Sequence, residues 1–206
     1  MIFPIKDDFR WRTNFNQLRP LSLPLDQRNR FHAAADWACP VGTTIYAPEG
    51  GQLFYQWIEQ PANGSRECNI IGLNQKWWPF SRYFERIFGG VIVLKSENYI
   101  HAFCHIDKET ILDFLKIFKI KEPRRMSNGF TIYGNIHSPS WIAEGSTIGV
   151  VGNSGMSTGP HTHYELHNHT GWTPHIKRPN PEDLYPSVWQ QHKHEVLEAK
   201  KEAYIL

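Results

Sequence analysis

Apolar and polar positions alternate along several short stretches of the chain, with the period of a half-buried β-strand. Residues 43–47 (Thr-Thr-Ile-Tyr-Ala) alternate and run into Pro48-Glu-Gly-Gly51, a strong turn signal. Residues 52–58 follow as a second strand, and the two together predict a hairpin. Residues 91–94, 99–106, 130–133 and 147–151 add further β-like runs. Strands this short and this frequent predict a mostly β chain built on an antiparallel sheet or sandwich.

Three stretches break that rhythm. In residues 108–120, Ile111, Leu112, Phe114, Leu115, Ile117 and Phe118 recur with a period near 3.6, which predicts a short helix. Pro123 and the residues around it supply its stop. A C-terminal helix is expected over residues 187–204, after the Pro-rich turn of residues 179–186. Residues 59–89 mix Pro, Asn, Gly and Arg with Trp77 and Trp78, follow no single period, and read as an insertion. No internal repeat or low-complexity tract is visible.

The 206 residues are expected to form a single domain. With 40% apolar and 20% charged residues the chain can bury a real core, which excludes disorder as its main state. Its 22 basic and 20 acidic residues leave a net charge of only +2. That argues against a nucleic acid partner, because phosphate-tracking proteins are usually far more basic. No apolar run approaches the ~20 residues of a membrane span. The first eight residues lack a basic segment, a long apolar stretch and a cleavage site, so they do not read as a signal peptide. Cys39, Cys68 and Cys104 are odd in number and none forms a Cys-x-x-Cys pair. They read as reduced, mostly buried thiols, and not as disulfides or thiolate metal ligands.

Three segments hold polar residues that core packing does not explain. The first is His32-Ala-Ala-Ala-Asp36. Pro40 and Gly42 leave little room for a helix there, and Asp36 reads better as the start of a strand. The second is His101-Ala-Phe-Cys-His105, whose histidines would share one face of a strand, so that either could orient a substrate or stabilise an oxyanion. The third is His161-Thr-His163-Tyr-Glu165, preceded by the Gly- and Ser-rich residues 152–160. On a strand His161 and His163 project together, with Glu165 and His167 continuing the row. Zinc accepts His nitrogen and Asp oxygen, and catalytic zinc typically keeps three protein ligands plus water. His32, Asp36 and one histidine of the pair make such a set. The remaining histidines (His137, His167, His169, His175, His192 and His194) read as structural or solvated.

The combination is more specific than its parts. Residues 30–51, Arg-Phe-His-Ala-Ala-Ala-Asp-Trp-Ala-Cys-Pro-Val-Gly-Thr-Thr-Ile-Tyr-Ala-Pro-Glu-Gly-Gly, resemble the first signature of the lysostaphin/LytM-type zinc metallopeptidases. Residues 145–165, Gly-Ser-Thr-Ile-Gly-Val-Val-Gly-Asn-Ser-Gly-Met-Ser-Thr-Gly-Pro-His-Thr-His-Tyr-Glu, are similar to the second signature nearly position for position. Tyr99 to His105 resembles the middle strand of that family, best matched at His105, and Phe9-Arg-Trp-Arg12 resembles its opening segment.

The resemblance implies a fold, a site and an activity. The fold would be a compact antiparallel β-domain, a barrel or sandwich of duplicated hybrid motifs. Its core would span about residues 9–186, with insertions at about 59–89 and 108–145. One zinc ion per chain would be held by His32, Asp36 and His163. His161 would act as general base on the zinc-bound water, and His105 would help hold that water or the transition state. The substrate would be the peptide part of bacterial peptidoglycan. The site of action would be the cell wall, periplasmic or extracellular, reached through lysis, on a virion, or by a mature form already freed of a leader, and the protein is expected to be a monomer. Where this chain carries Trp37 or Cys39 the family usually has a small or aliphatic residue, and the two insertions look long. Trp77, Trp78 and Trp141 either line the groove between them or pack the insertions against the core. A non-enzymatic wall-binding activator or a virion structural component would be alternative uses of the same fold.

Overall fold

The computed structural model describes residues 1–7, 9–13, 32, 34–59, 88–119, 123–125, 131–135, 139–169 and 178–190. The mostly β expectation holds. Eleven strands form among these residues: β1 (Arg10–Thr13), β2 (Ala35–Ala38), β3 (Thr44–Tyr46), β4 (Gly51–Glu59), β5 (Gly90–Lys95), β6 (Tyr99–Ile106), β7 (Arg124–Arg125), β8 (Thr131–Gly134), β9 (Ser140–Ile142), β10 (Thr147–Val150) and β11 (Thr162–Asn168). Nine of them make one antiparallel sheet in the order β1-β2-β11-β6-β5-β4-β8-β7, with β9 also paired to β4. The sheet runs open from β1 to β7, so the described residues form no closed barrel.

The predicted hairpin of residues 43–58 does not form. β3 pairs instead with β10, in the register Thr147↔Tyr46, Gly149↔Ile45 and Val150↔Thr44, as a separate two-stranded sheet. Two physical reasons explain the difference. The turn between β3 and β4 is tied sideways: Ala47 N–H donates to the Ser146 carbonyl, and the Glu49 carboxylate takes hydrogen bonds from Ser96 and Asn98. Both edges of β4 are also already taken, by β5 on one side and by β8 and β9 on the other.

The main core lies between the large sheet, the small sheet and α1 (Lys108–Ile117). Leu53, Tyr55, Ile92, Leu94, Phe103 and Ile106 meet Ile45, Ile148 and Val151 of the small-sheet region, and Ile111 and Leu115 of α1 close it. The rings of Phe114 and Phe118 stack on Tyr55, with centroids 4.8 and 5.8 Å away, so the predicted apolar stripe of the helix finds its partner. Each fully buried aliphatic side chain contributes about 1.5–3 kcal/mol by leaving water. A second apolar cluster covers the other face of the sheet: Phe54, Val91, Val93, Ile100, Ala102 and Cys104. β5 is therefore buried on both faces, which explains why Val91 to Leu94 is apolar without alternation.

Residues 108–145 are the second of the expected insertions. They supply α1, β7, β8 and β9, and the last two complete the free edge of β4. Trp141 stands on β9 opposite Gln52 and is 77% exposed. A short helix, α2 (Pro181–Leu184), is capped by Asn180, whose side chain accepts from Glu182 N–H, and residues 186–190 are helical. The rest of the expected C-terminal helix lies outside the described residues, as do residues 60–87 with Cys68, Trp77 and Trp78. Cys39 and Cys104 are free, buried thiols.

Candidate metal centre

Strand register builds the site. β11 lies between β2 and β6, with His163 opposite Asp36 on one side and Cys104 on the other, and Glu165 opposite Ala102. Directly opposed residues share a face. Asp36, His163 and Glu165 therefore project together, over a β6 that offers only small side chains there. His32 precedes β2 and joins the same face.

Three potential ligand atoms converge. His32 Nε2 is 3.2 Å from His163 Nδ1 and 3.3 Å from Asp36 Oδ1, and His163 Nδ1 is 3.0 Å from Asp36 Oδ1. A tetrahedral ion with bonds of about 2.0–2.1 Å holds its ligand atoms roughly 3.3–3.4 Å apart. The observed triangle matches that spacing within a few tenths of an ångström. All three residues are buried, and together they offer a metal ion two imidazole nitrogens and a carboxylate oxygen.

Proton placement strengthens the case. His163 Nε2 lies 3.3 Å from Glu165 Oε1, and a carboxylate only accepts, so Nε2 carries the hydrogen. In the neutral ring Nδ1 is then a bare lone pair, aimed at a carboxylate oxygen and a second imidazole. A cation, a second proton on His163 or an Nε2–H donated by His32 makes that arrangement favourable. Against the cost of burial, hydrogen bonds to Asp36 and Glu165 lift the His163 pKa to about 9. Burial would raise the Asp36 carboxyl, but bonding to His163 and His32 outweighs it and holds that group well below the usual range.

His161 stands just outside the triangle, with Nε2 3.9 Å from Asp36 Oδ1. Its Nδ1 is 2.7 Å from the Gly159 carbonyl, so Nδ1–H donates there and Nε2 is the ring nitrogen that faces the site. Of the pair His161 and His163, the structure thus brings His163 to the triangle and leaves His161 beside it.

His105 and His101 part company. His105 has φ of +65°, a left-handed conformation rare outside glycine, and this reverses the facing of its side chain at the end of β6. Its ring comes within 4.6 Å of His161 and 5.7 Å of His163, centroid to centroid. Its Nδ1–H donates to the Ser154 carbonyl at 2.9 Å, so its Nε2 is bare. Burial, with the charges of His163 and His161, pushes its pKa down to about 3. His101 keeps the ordinary pleat and points into the main core, where it meets Tyr164 Oη at 2.7 Å and Glu49 at 3.2 Å. The expectation that the two histidines share a face fails for that reason.

The Gly- and Ser-rich loop sets both ring orientations. Ser154 N–H donates to the His105 carbonyl, and its hydroxyl donates to the Ile106 carbonyl. Asn153 N–H donates to Asp107. Ser157 Oγ donates to the Gly159 carbonyl. Glu165, read from sequence only as part of a row, and Arg178, not singled out at all, form a buried pair beside His163 with Nη1 to Oε2 at 3.1 Å. Burial would raise the Glu165 carboxyl, but the Arg178 charge and bonds from His163 and His167 hold it well below its usual range. The row His163-x-Glu165-x-His167 was visible in sequence; Arg178, thirteen residues past Glu165, carried no local signal.

No family model and no curated protein matches the chain. Among solved structures it is similar to a zinc-containing peptidase from Vibrio cholerae, at 16% identity and TM-score 0.45, over 87% of this chain and 40% of that one. It is also similar to the catalytic domain of the prophage-encoded M23 protein EnpA from Enterococcus faecalis, at 21% identity and TM-score 0.41, covering 84% and 89% of the two chains. For the catalytic domain of the antimicrobial peptidase lysostaphin from Staphylococcus simulans the values are 15%, 0.45, 85% and 91%. At these identities and TM-scores the site is read from its own geometry.

Proposed function

We propose that this protein is a zinc-dependent endopeptidase that cleaves peptide bonds of bacterial peptidoglycan and works at the cell wall as a single-domain monomer. The observation that carries the reading is the convergence of His32 Nε2, Asp36 Oδ1 and His163 Nδ1 at tetrahedral spacing, with Nε2 of His161 at their rim. The two sequence signatures that hold these residues supply the substrate class.

Zinc held by these three groups would supply Lewis acidity and a water acidified to a pKa of about 7. The other steps belong to the chain. His161, locked with Nδ1–H on Gly159, takes the proton of the attacking water at Nε2 and returns it to the leaving amine. His105 stays neutral with Nδ1–H on Ser154, so its Nε2 can only accept. It therefore orients the attacking water.

Digestion of purified peptidoglycan from several bacteria, read by mass spectrometry, tests the reading. New peptide termini should appear with the zinc-loaded protein, vanish with a chelator and return with zinc. A zinc-loaded protein that yields no termini from any wall would fit a binding or virion-structural role instead.

A further inference from the structure

Resting on the metal reading above, we propose that Glu165 and Arg178 are positioning residues of the centre. Glu165 fixes the ring of His163 with Nδ1 towards the cation, and Arg178 anchors Glu165.

A histidine that ligates through Nδ1 must place its Nε2–H somewhere. At a buried position that hydrogen needs an acceptor, or the ring turns to find one. Glu165 Oε1 provides it at 3.3 Å, from two residues along the same face of β11. The other oxygen, Oε2, takes Nη1 of Arg178 at 3.1 Å and stands 3.1 Å from His167 Nε2. Glu165 is 4% exposed and His167 fully buried, and the Arg178 side chain is 7% exposed. A carboxylate buried to this degree is strongly disfavoured unless paired and fully bonded, and Arg178 supplies the opposite charge. The pair also has a direction: Oε2 meets Arg178 and His167 outside the triangle, and Oε1 meets His163. His32 differs: its buried Nδ1 has no hydrogen-bond partner among the described residues. The ring of His163 is therefore the one whose tautomer is set by a charged partner. Outer carboxylates of this kind typically change metal affinity 10–100-fold.

A purely structural role predicts something else. There the Glu165–Arg178 pair would only clamp the chain beyond β11 to the sheet. Its loss would lower the melting temperature and leave zinc affinity alone.

The test is zinc affinity of the full chain, measured by competition with a chromophoric chelator, for wild type, Glu165→Gln, Arg178→Met and Arg178→Lys. Glu165→Gln and Arg178→Met should bind zinc about 10–100-fold more weakly. Arg178→Lys should stay within a few-fold of wild type, because it keeps the charge. Unchanged affinity in folded Glu165→Gln would overturn the proposal while leaving the metal reading intact. A wild type that does not bind zinc would overturn both. A second measurement needs no variant: imidazole 15N spectra of zinc-loaded wild type should show His163 protonated at Nε2 only. Protonation of His163 at Nδ1 would overturn the proposal.

Discussion

Gly152 opens the loop that orients both outer histidines, and its substitution by alanine probes how closely that loop must approach β6. A Cβ built at Gly152 would lie 2.6 Å from Asp107 N, 2.6 Å from the His105 carbonyl oxygen and 2.8 Å from Asp107 Cγ. Ordinary contact begins at 3.4 Å, so relief requires a shift of about 3.4 − 2.6 = 0.8 Å. Two of the three atoms are backbone and cannot swing aside. The loop must move, and with it Asn153, which donates to Asp107, and Ser154, whose carbonyl holds His105. Overpacking of this kind costs about 1–3 kcal/mol, or roughly 3–9 °C in Tm for a chain of this length. The effect on turnover should be larger in proportion, because a displacement near 1 Å at a catalytic group can cost about 10²-fold. Initial rates of release of labelled peptidoglycan fragments, with zinc content and Tm measured on the same preparation, would show it. We expect zinc retained, a modest loss in Tm and a drop of about 10²-fold in kcat. Wild-type kcat with a lowered Tm would refute the idea that this loop sets the two histidines.

The remaining predictions address single bonds. His161→Ala should keep its zinc, by metal analysis, and lose about 10²–10⁴ in turnover as for other general bases; full activity would remove His161 from that role. Tyr55→Phe deletes the 2.9 Å hydrogen bond to the Ile148 carbonyl that joins the two sheets. It should cost about 1–3 kcal/mol in urea unfolding, since the buried carbonyl is left unpaired. For acid stability, the hydrogen bond from His101, against burial and with help from Ser96 and Asn98, lowers the Glu49 pKa from 4.5 to about 2. A depressed carboxylate stabilises the fold above its unfolded value and ceases to do so as pH falls through the folded one. Wild-type Tm should therefore drop between pH 4.5 and 2, and Glu49→Gln should show a shallower drop over that window.

Much of the strand plan was legible because burial on one face imposes alternation, and on both faces an unbroken apolar run. Residues 99–106 coincide with β6, and the apolar stripe of α1 lies where its period put it except at Ile117, which is exposed. Pairing was less legible. Residues 43–58 look like a hairpin locally, but β3 is claimed by β10 a hundred residues later, and no local pattern encodes that partner. The site was legible at the level of faces: His163 and Glu165 alternate with core residues on β11, and Asp36 starts a strand. His105 was assigned to the face of His101 because a sequence pattern assumes a regular pleat. The positive φ at His105 falls where the β5–β6 register is irregular, opposite Gly90 to Ile92, and no local sequence pattern announces that break. Arg178 was invisible for a similar reason, since its meaning lies wholly in the buried carboxylate it meets.

The central claim is that His32, Asp36 and His163 hold one zinc ion, and the most direct test is the zinc content of purified wild type and Asp36→Asn by mass spectrometry. Asparagine keeps the shape of the side chain and removes the charge that balances the ion. The account predicts about one zinc per chain in wild type and almost none in a folded Asp36→Asn. Equal zinc in the two proteins, or none in wild type after exposure to the metal, would contradict it.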